Sequence, residues 1–115
     1  MTVCQLKAAL SLTEYHMATP DRPVSGGYAG DLLSWVLSRA GQDCAWLTIM
    51  SNQNVAAVSL MADVSCVILT EGVEPDADLL RRAEEKQINL LGTTLDTFSA
   101  ACRLGALCPA PGTGV

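Results

Sequence analysis

Three apolar runs dominate the chain from residue 44 onward, at 44–49, 65–69 and 88–91, and segments with helical character separate them. Ser65-Cys66-Val67-Ile68-Leu69 is the clearest, continuous and β-branched, as in a strand covered on both faces. Strand-helix-strand links of this length force right-handed crossovers and parallel pairing. The expected fold class is therefore α/β, a single layered domain with a mainly parallel central sheet flanked by helices. The helices should cover both sides of the sheet, or mostly one.

Local signals supply the remaining elements. Thr2 with Gln5 forms a capping-box pattern, and Val3, Leu6 and Leu10 share one face of a helix over 3–10. Residues 12–17 read as a weakly patterned strand, and Pro20-Asp21-Arg22-Pro23 as a turn. A glycine-rich extended stretch, 24–31, leads to Asp31, an expected N-cap for a helix over 32–40 that Gly41 should end as its C′ residue. Ser51 and Asn52 offer a cap for a helix over 55–62, which is apolar nearly all round. Asp76 and Asp78 open the next helix, and Arg81, Arg82 and Lys86 follow in the order that suits the macrodipole. Thr93 and Thr94 are the expected caps of the last helix. Its apolar face reads as Leu95, Phe98 and Cys102, and Gly105 should close it. The domain then spans 1–105, with 106–115 as a flexible tail of Pro, Gly and small residues.

The chain has 115 residues, half of them hydrophobic and only 17% charged, which fits one folded domain and excludes disorder. Its net charge is −5, and seven scattered basic residues make no phosphate-neutralising patch, so nucleic acid is not an expected partner. Anionic membranes are disfavoured for the same reason. No run approaches the ~18 apolar residues of a membrane helix, and Met1-Thr2-Val3-Cys4-Gln5-Leu6-Lys7 lacks the pattern of a secretory signal. A cytoplasmic location follows. Five cysteines, at 4, 44, 66, 102 and 108, show no metal-ligand spacing. They read as structural thiols, with Cys108, in the loose tail, the one expected to react.

Catalytic motifs are missing from the pattern. Gly26-Gly27-Tyr28-Ala29-Gly30 fits neither dinucleotide nor phosphate-loop spacing, and Asp31 puts a carboxylate where an anion would sit. Tight backbone packing explains those glycines. His16 is the only histidine and reads as a surface or strand-edge residue, with no GxSxG nucleophile to serve. Glu14, Asp21, Asp31, Asp63, Glu71 and Glu74 read as caps and solvated charges. Nothing requires a cofactor or a metal.

One constellation carries a functional reading. Residues just past the carboxyl ends of parallel strands gather along one edge, the usual place for a ligand. Helix capping accounts for most of the polar groups there. As a binding site, the edge would present Asn52, Gln53, Glu71, Gly72, Thr93 and Thr94. Gly72 would allow close approach to the backbone, while Glu71 disfavours a highly charged phosphate ester. The expected ligand is a neutral or singly charged polar molecule.

From Asp63 onward the chain resembles the DRTGG family. The resemblance is carried by Val64-Ser65-Cys66-Val67-Ile68-Leu69-Thr70-Glu71-Gly72-Val73-Glu74-Pro75 and by Leu79-Leu80-Arg81-Arg82-Ala83-Glu84-Glu85. It continues in Ile88-Asn89-Leu90-Leu91 and Thr94-Leu95-Asp96-Thr97-Phe98. The upstream stretch 24–36 is similar to the stand-alone bacterial branch, so that the likeness spans about 3–105. Where many relatives carry Gly-Asp-Arg-Thr, this chain has Ser51-Asn52-Gln53-Asn54, and the paired glycines reduce to Glu71-Gly72. The resemblance implies a fold like the N-terminal domain of HPr kinase/phosphorylase, and a regulatory, oligomer-forming role beside chemistry held elsewhere. The function implied is a non-catalytic regulatory or interaction module that self-associates as a homodimer. The alternative is a small-metabolite or nucleotide sensor; a small enzyme is the third class. Trp35, Trp46, Val55, Val58 and Met61 are more apolar surface than a small core accommodates, which also favours association. Phosphoryl transfer needs a phosphate cradle, a cation and a metal site, so incubation with labelled ATP, magnesium and HPr protein should leave HPr unlabelled; turnover above blank would refute this.

Overall fold

A computed structural model describes residues 1–108, and in it the three apolar runs become the interior of the sheet. The elements in order are α1 (Val3–Leu10), β1 (Thr13–His16), β2 (Gly27–Ala29), α2 (Leu33–Arg39) and β3 (Ala45–Thr48). They continue as α3 (Asn54–Ala62), β4 (Cys66–Leu69), α4 (Ala77–Lys86), β5 (Leu90–Gly92) and α5 (Thr97–Leu107). The strand order is β1-β5-β4-β3-β2, with β2 to β5 parallel and β1 antiparallel to β5. The chain is thus α/β with a mainly parallel sheet, and its two weakly patterned strands are the two edges.

Strand alternation divides the core. Ala45, Leu47, Cys66, Ile68 and Leu91 face α1 and α5, meeting Val3, Leu6, Leu10, Ala100 and Leu104. Trp46, Val67, Leu69 and Leu90 face the other way, against Val36 of α2, Val55 and Val58 of α3, and Leu79 and Ala83 of α4. Trp46 is fully buried, and its indole N–H donates to Gly30 O at 2.9 Å. Helices therefore cover both faces.

At the amino ends of the strands, two polar side chains tie the N-terminal segment to the sheet. The Arg22 guanidinium donates to Asp43 and Asp63 carboxylates at 2.9 and 2.8 Å and to Asp63 O at 2.7 Å. Burial alone would lower the Arg22 pKa, but the two carboxylates outweigh it and raise the pKa. Asn89, which is buried, accepts from Thr19 N and donates to Thr19 O and Ser65 O, closing the same edge.

Several expected boundaries move. Asp31 does not cap α2: the N-cap is Leu32, without a side-chain bond, because the Asp31 carboxylate is drawn to the end of β3. Gly41 does not end α2 in a left-handed turn; Ala40 leaves the helix in an extended conformation. The N-cap of α3 is Gln53, while Asn52 Oδ1 accepts from Asn54 N at 2.9 Å. Asp96, not Thr93 or Thr94, caps α5, accepting from Ser99 N at 2.7 Å. That bond holds the Asp96 carboxyl below its usual range. Gly105 lies inside α5, which runs to Leu107, and Cys108 is buried. Of the expected tail over 106–115, residues 109–115 fall outside the described residues. Phe98 and Cys102 are exposed, and α5 instead buries Ala100 and Leu104. Trp46, Val55 and Val58 fit inside the core, whereas Trp35 and Met61 remain exposed.

The glycine-rich stretch has a steric role. A Cβ on Gly27 would lie 2.5 Å from Leu104 Cδ2, so α5 packs on β2 only because position 27 has no side chain. Leu104 is itself buried, so a side chain at 27 would force it out of its packed position. Gly27→Ala should cost about 1–3 kcal/mol, read as a lower midpoint in urea with the slope unchanged.

Candidate functional site

The carboxyl ends of the parallel strands form an edge rich in hydroxyls. Thr48 and Thr70 follow or end their strands and are almost fully buried. Thr48 Oγ1 donates to the Asp31 carboxylate at 2.8 Å and accepts from Met50 N at 3.1 Å; Asp31 also accepts from Ile49 N at 2.9 Å. Thr70 Oγ1 pairs with Thr97 Oγ1 at 2.7 Å. Next to it, Glu71 and Gly72 both adopt positive φ, 62° and 71°, and Val73 N donates to Thr70 O at 3.1 Å. This is the geometry of a type I′ turn. It aims the Glu71 carboxylate at α5, where it accepts from Thr97 N at 2.7 Å.

These bonds decide what the edge can do. Its carboxylates and buried hydroxyls cap strands and helices, and no buried side-chain polar atom among the described residues lacks a partner. His16 sits at the opposite edge, its Nδ1 2.8 Å from Ile88 O, so no histidine serves these hydroxyls as a base. No group of three His, Cys, Asp or Glu among the described residues could hold a metal ion.

The six residues expected to bind a ligand fall into separate places. Glu71 and Thr93 do lie side by side, with Gly72 N donating to Thr93 O at 3.0 Å. Gly72, Thr93 and Thr94 line an open cleft of about 250 Å³ with Thr13, Tyr15, Val73 and Glu74. Burial, assisted by Glu74, raises the Tyr15 phenol above its usual pKa, and the acidic wall opposes an anionic ligand. Gln53 lines a different cleft, between α3 and α4, and Asn52 is occupied by the turn into α3.

The sequence profile of the DRTGG domain matches residues 33–107, well over half of the chain. The chain belongs to the DRTGG domain family. Among solved structures, this DRTGG domain is similar to the CBS and DRTGG domains of the regulatory region of Clostridium perfringens pyrophosphatase, complexed with activator, diadenosine tetraphosphate. The superposition has a TM-score of 0.72 at 16% identity and covers 96% of this chain. This chain spans 47% of that one's length, and the likeness is one of fold. No curated protein matches the sequence.

Sequence reasoning missed Tyr15, hidden in a poorly patterned edge strand. It also missed the pairing of Gln53 with Arg82 across two helices, for which the sequence carries no signal. It misplaced the accessible thiols of the DRTGG domain. Cys108 is buried, and Cys4 and Cys102 are the exposed ones. Burial pushes the Cys44 thiol up to about 11 and the Cys66 thiol up to about 12, which keeps both protonated and unreactive near neutral pH.

Glu71 thus acts on α5 rather than standing free for a ligand. Glu71→Ala should destabilise the domain by about 1 kcal/mol and speed hydrogen exchange at the Thr97 amide, while Glu71→Gln, which keeps an acceptor, should lose less.

Proposed function

We propose that this DRTGG domain is a non-catalytic regulatory module of the cytoplasm that works as a homodimer joined through the free edge of β2. The observation that carries the proposal is the backbone pattern of that strand. Ala45 N donates to Gly26 O at 3.1 Å and Gly30 N donates to Leu47 O at 3.1 Å. Parallel alternation then turns the Tyr28 amide and carbonyl toward β3 and those of Gly27 and Ala29 outward. Two N–H and two C=O groups therefore face away from the sheet. A second copy related by a two-fold axis at Tyr28 would satisfy all four in antiparallel pairing, opposing Gly27 of one protomer to Ala29 of the other.

The flanks of β2 suit such a partner. On one side a groove of about 270 Å³ is lined by Tyr28 and Arg39, and Arg39 lies 3.7 Å over the exposed ring of Trp35. On the other, Ala101 and Leu104 line an apolar groove of about 120 Å³. A long exposed strand edge invites indiscriminate pairing, and three residues between two helices limit it. The kinship with the N-terminal domain of HPr kinase/phosphorylase belongs to the same reading, as does the absence of chemistry in the domain itself.

A second reading, sensing of a small ligand, is favoured by the pyrophosphatase regulatory region, whose structure is a complex with a nucleotide activator. In this chain the groups available for it are Asn52, Gln53, Glu71, Gly72, Thr93 and Thr94. Glu71 and Asn52 would first have to release the backbone N–H groups of Thr97 and Asn54 that they now hold.

Light scattering at micromolar concentration should give about twice the 12.1 kDa chain mass. Ala29→Pro removes an outward N–H without touching the bonds to β3, and should yield a folded monomer. A wild-type monomer under these conditions would refute the dimer.

A further inference from the structure

We infer that the cleft between α3 and α4 binds a small soluble phosphate ester through the side chains of Arg82 and Lys86. For its regulatory meaning this rests on the ligand-sensing reading; the site itself is separate from the strand-end cleft. The cleft holds about 320 Å³ and is lined by Gln53, Asn54, Ala56, Ala57, Arg82 and Lys86. That volume is at the lower end of small-molecule sites, which run from ~300 to 1,000 Å³. Ala56 and Ala57 leave the space open because their side chains are short.

Charge segregation is the main argument. The chain carries twelve acidic and seven basic residues, yet two cations and no carboxylate line this cleft. Most other cations are already engaged. Lys7 pairs with Glu14, Arg22 with Asp43 and Asp63, and Arg81 with Asp78, while Arg39 lies over Trp35. Arg82 has only a 3.7 Å contact to Glu85, and Lys86 has no carboxylate in salt-bridge reach among the described residues. Like charges four residues apart on a helix repel, so Arg82 and Lys86 side by side cost stability until an anion sits between them.

The chemistry selects phosphate. The Arg82 fork can grip two oxygens while Lys86 supplies a point charge. Gln53 Oε1 stands 3.4 Å from Arg82 Nε, which steadies the guanidinium at the cleft wall. Side chains must do this work, because the first amides of α3 are taken. Asn54 N donates to Asn52 Oδ1, Val55 N to Asn52 O and Ala56 N to Gln53 O. The side-chain NH2 of Gln53 and the side-chain amide of Asn54 are left to contact the organic part of the ligand.

The test is amide chemical-shift titration of the full chain, with inorganic pyrophosphate in one arm and ADP in the other. Saturable shifts at Asn54, Ala57, Arg82 and Lys86 are expected in both arms. The double variant Arg82→Gln, Lys86→Gln should bind at least about tenfold more weakly with an unchanged melting temperature or a small gain. Arg103→Gln, an exposed cation elsewhere on the surface, should bind as wild type does. An equal loss in Arg103→Gln would show attraction to net charge alone and overturn the site. Saturable shifts confined to Gly72, Thr93 and Thr94 would overturn the site while leaving ligand sensing standing. No saturable shift in either arm would overturn the site and withdraw phosphate esters from that reading.

Discussion

A parallel sheet has to be covered on both faces, and right-handed crossovers spend three helices on only one of them. Each link from β2 to β5 returns on the same side, so α2, α3 and α4 stack together there. The opposite face falls to what remains at the chain ends, α1 and α5. Much else follows from that division. Gly27 is bare so that Leu104 can lie against β2, and Asp96 and Glu71 both hold the start of α5 in place. Arg22 and Asn89 anchor the segment that brings α1 over the sheet.

The same division shapes the surface. Polar groups at the carboxyl edge fasten α5 and the loops after the strands, which is why the edge is rich in threonine. Unspent polarity lies instead between α3 and α4, where Arg82 and Lys86 flank a carboxylate-free cleft. Unspent backbone hydrogen bonding lies on β2, at the far margin of the sheet from β1.

The fold class, the three interior strands and the α1 capping box were legible because each has a local cause: a continuous apolar run, or a pair of residues three apart. Helix ends were much less so. Ser11, Asp63 and Gln87 close α1, α3 and α4 in the left-handed conformation, at φ near 53°, 58° and 57°, where a reader looks for glycine. Gly41 and Gly105 sit close to helix ends without performing that role. Asp31 and Glu71 look like local caps, but their partners lie seventeen and twenty-six residues away, across the sheet edge. The candidate site was legible as an edge and illegible as a pocket. The chain order that gathers Gln53, Gly72 and Thr93 says nothing about how these residues divide between two clefts.

The clamp of Arg22 on Asp43 and Asp63 has a consequence for where the molecule begins as a cooperative object. The recognisable family segment starts at residue 33, yet Val3, Leu6, Leu10, Leu12 and Val24 all belong to the buried layer beneath α5. Arg22 joins that layer to the loops entering β3 and β4 by bonds that cross the family boundary. Heredity and folding therefore draw different borders here. The segment that sequence kinship marks out covers one face of its own sheet with α5 alone, and the first two dozen residues are as much its interior as anything within it.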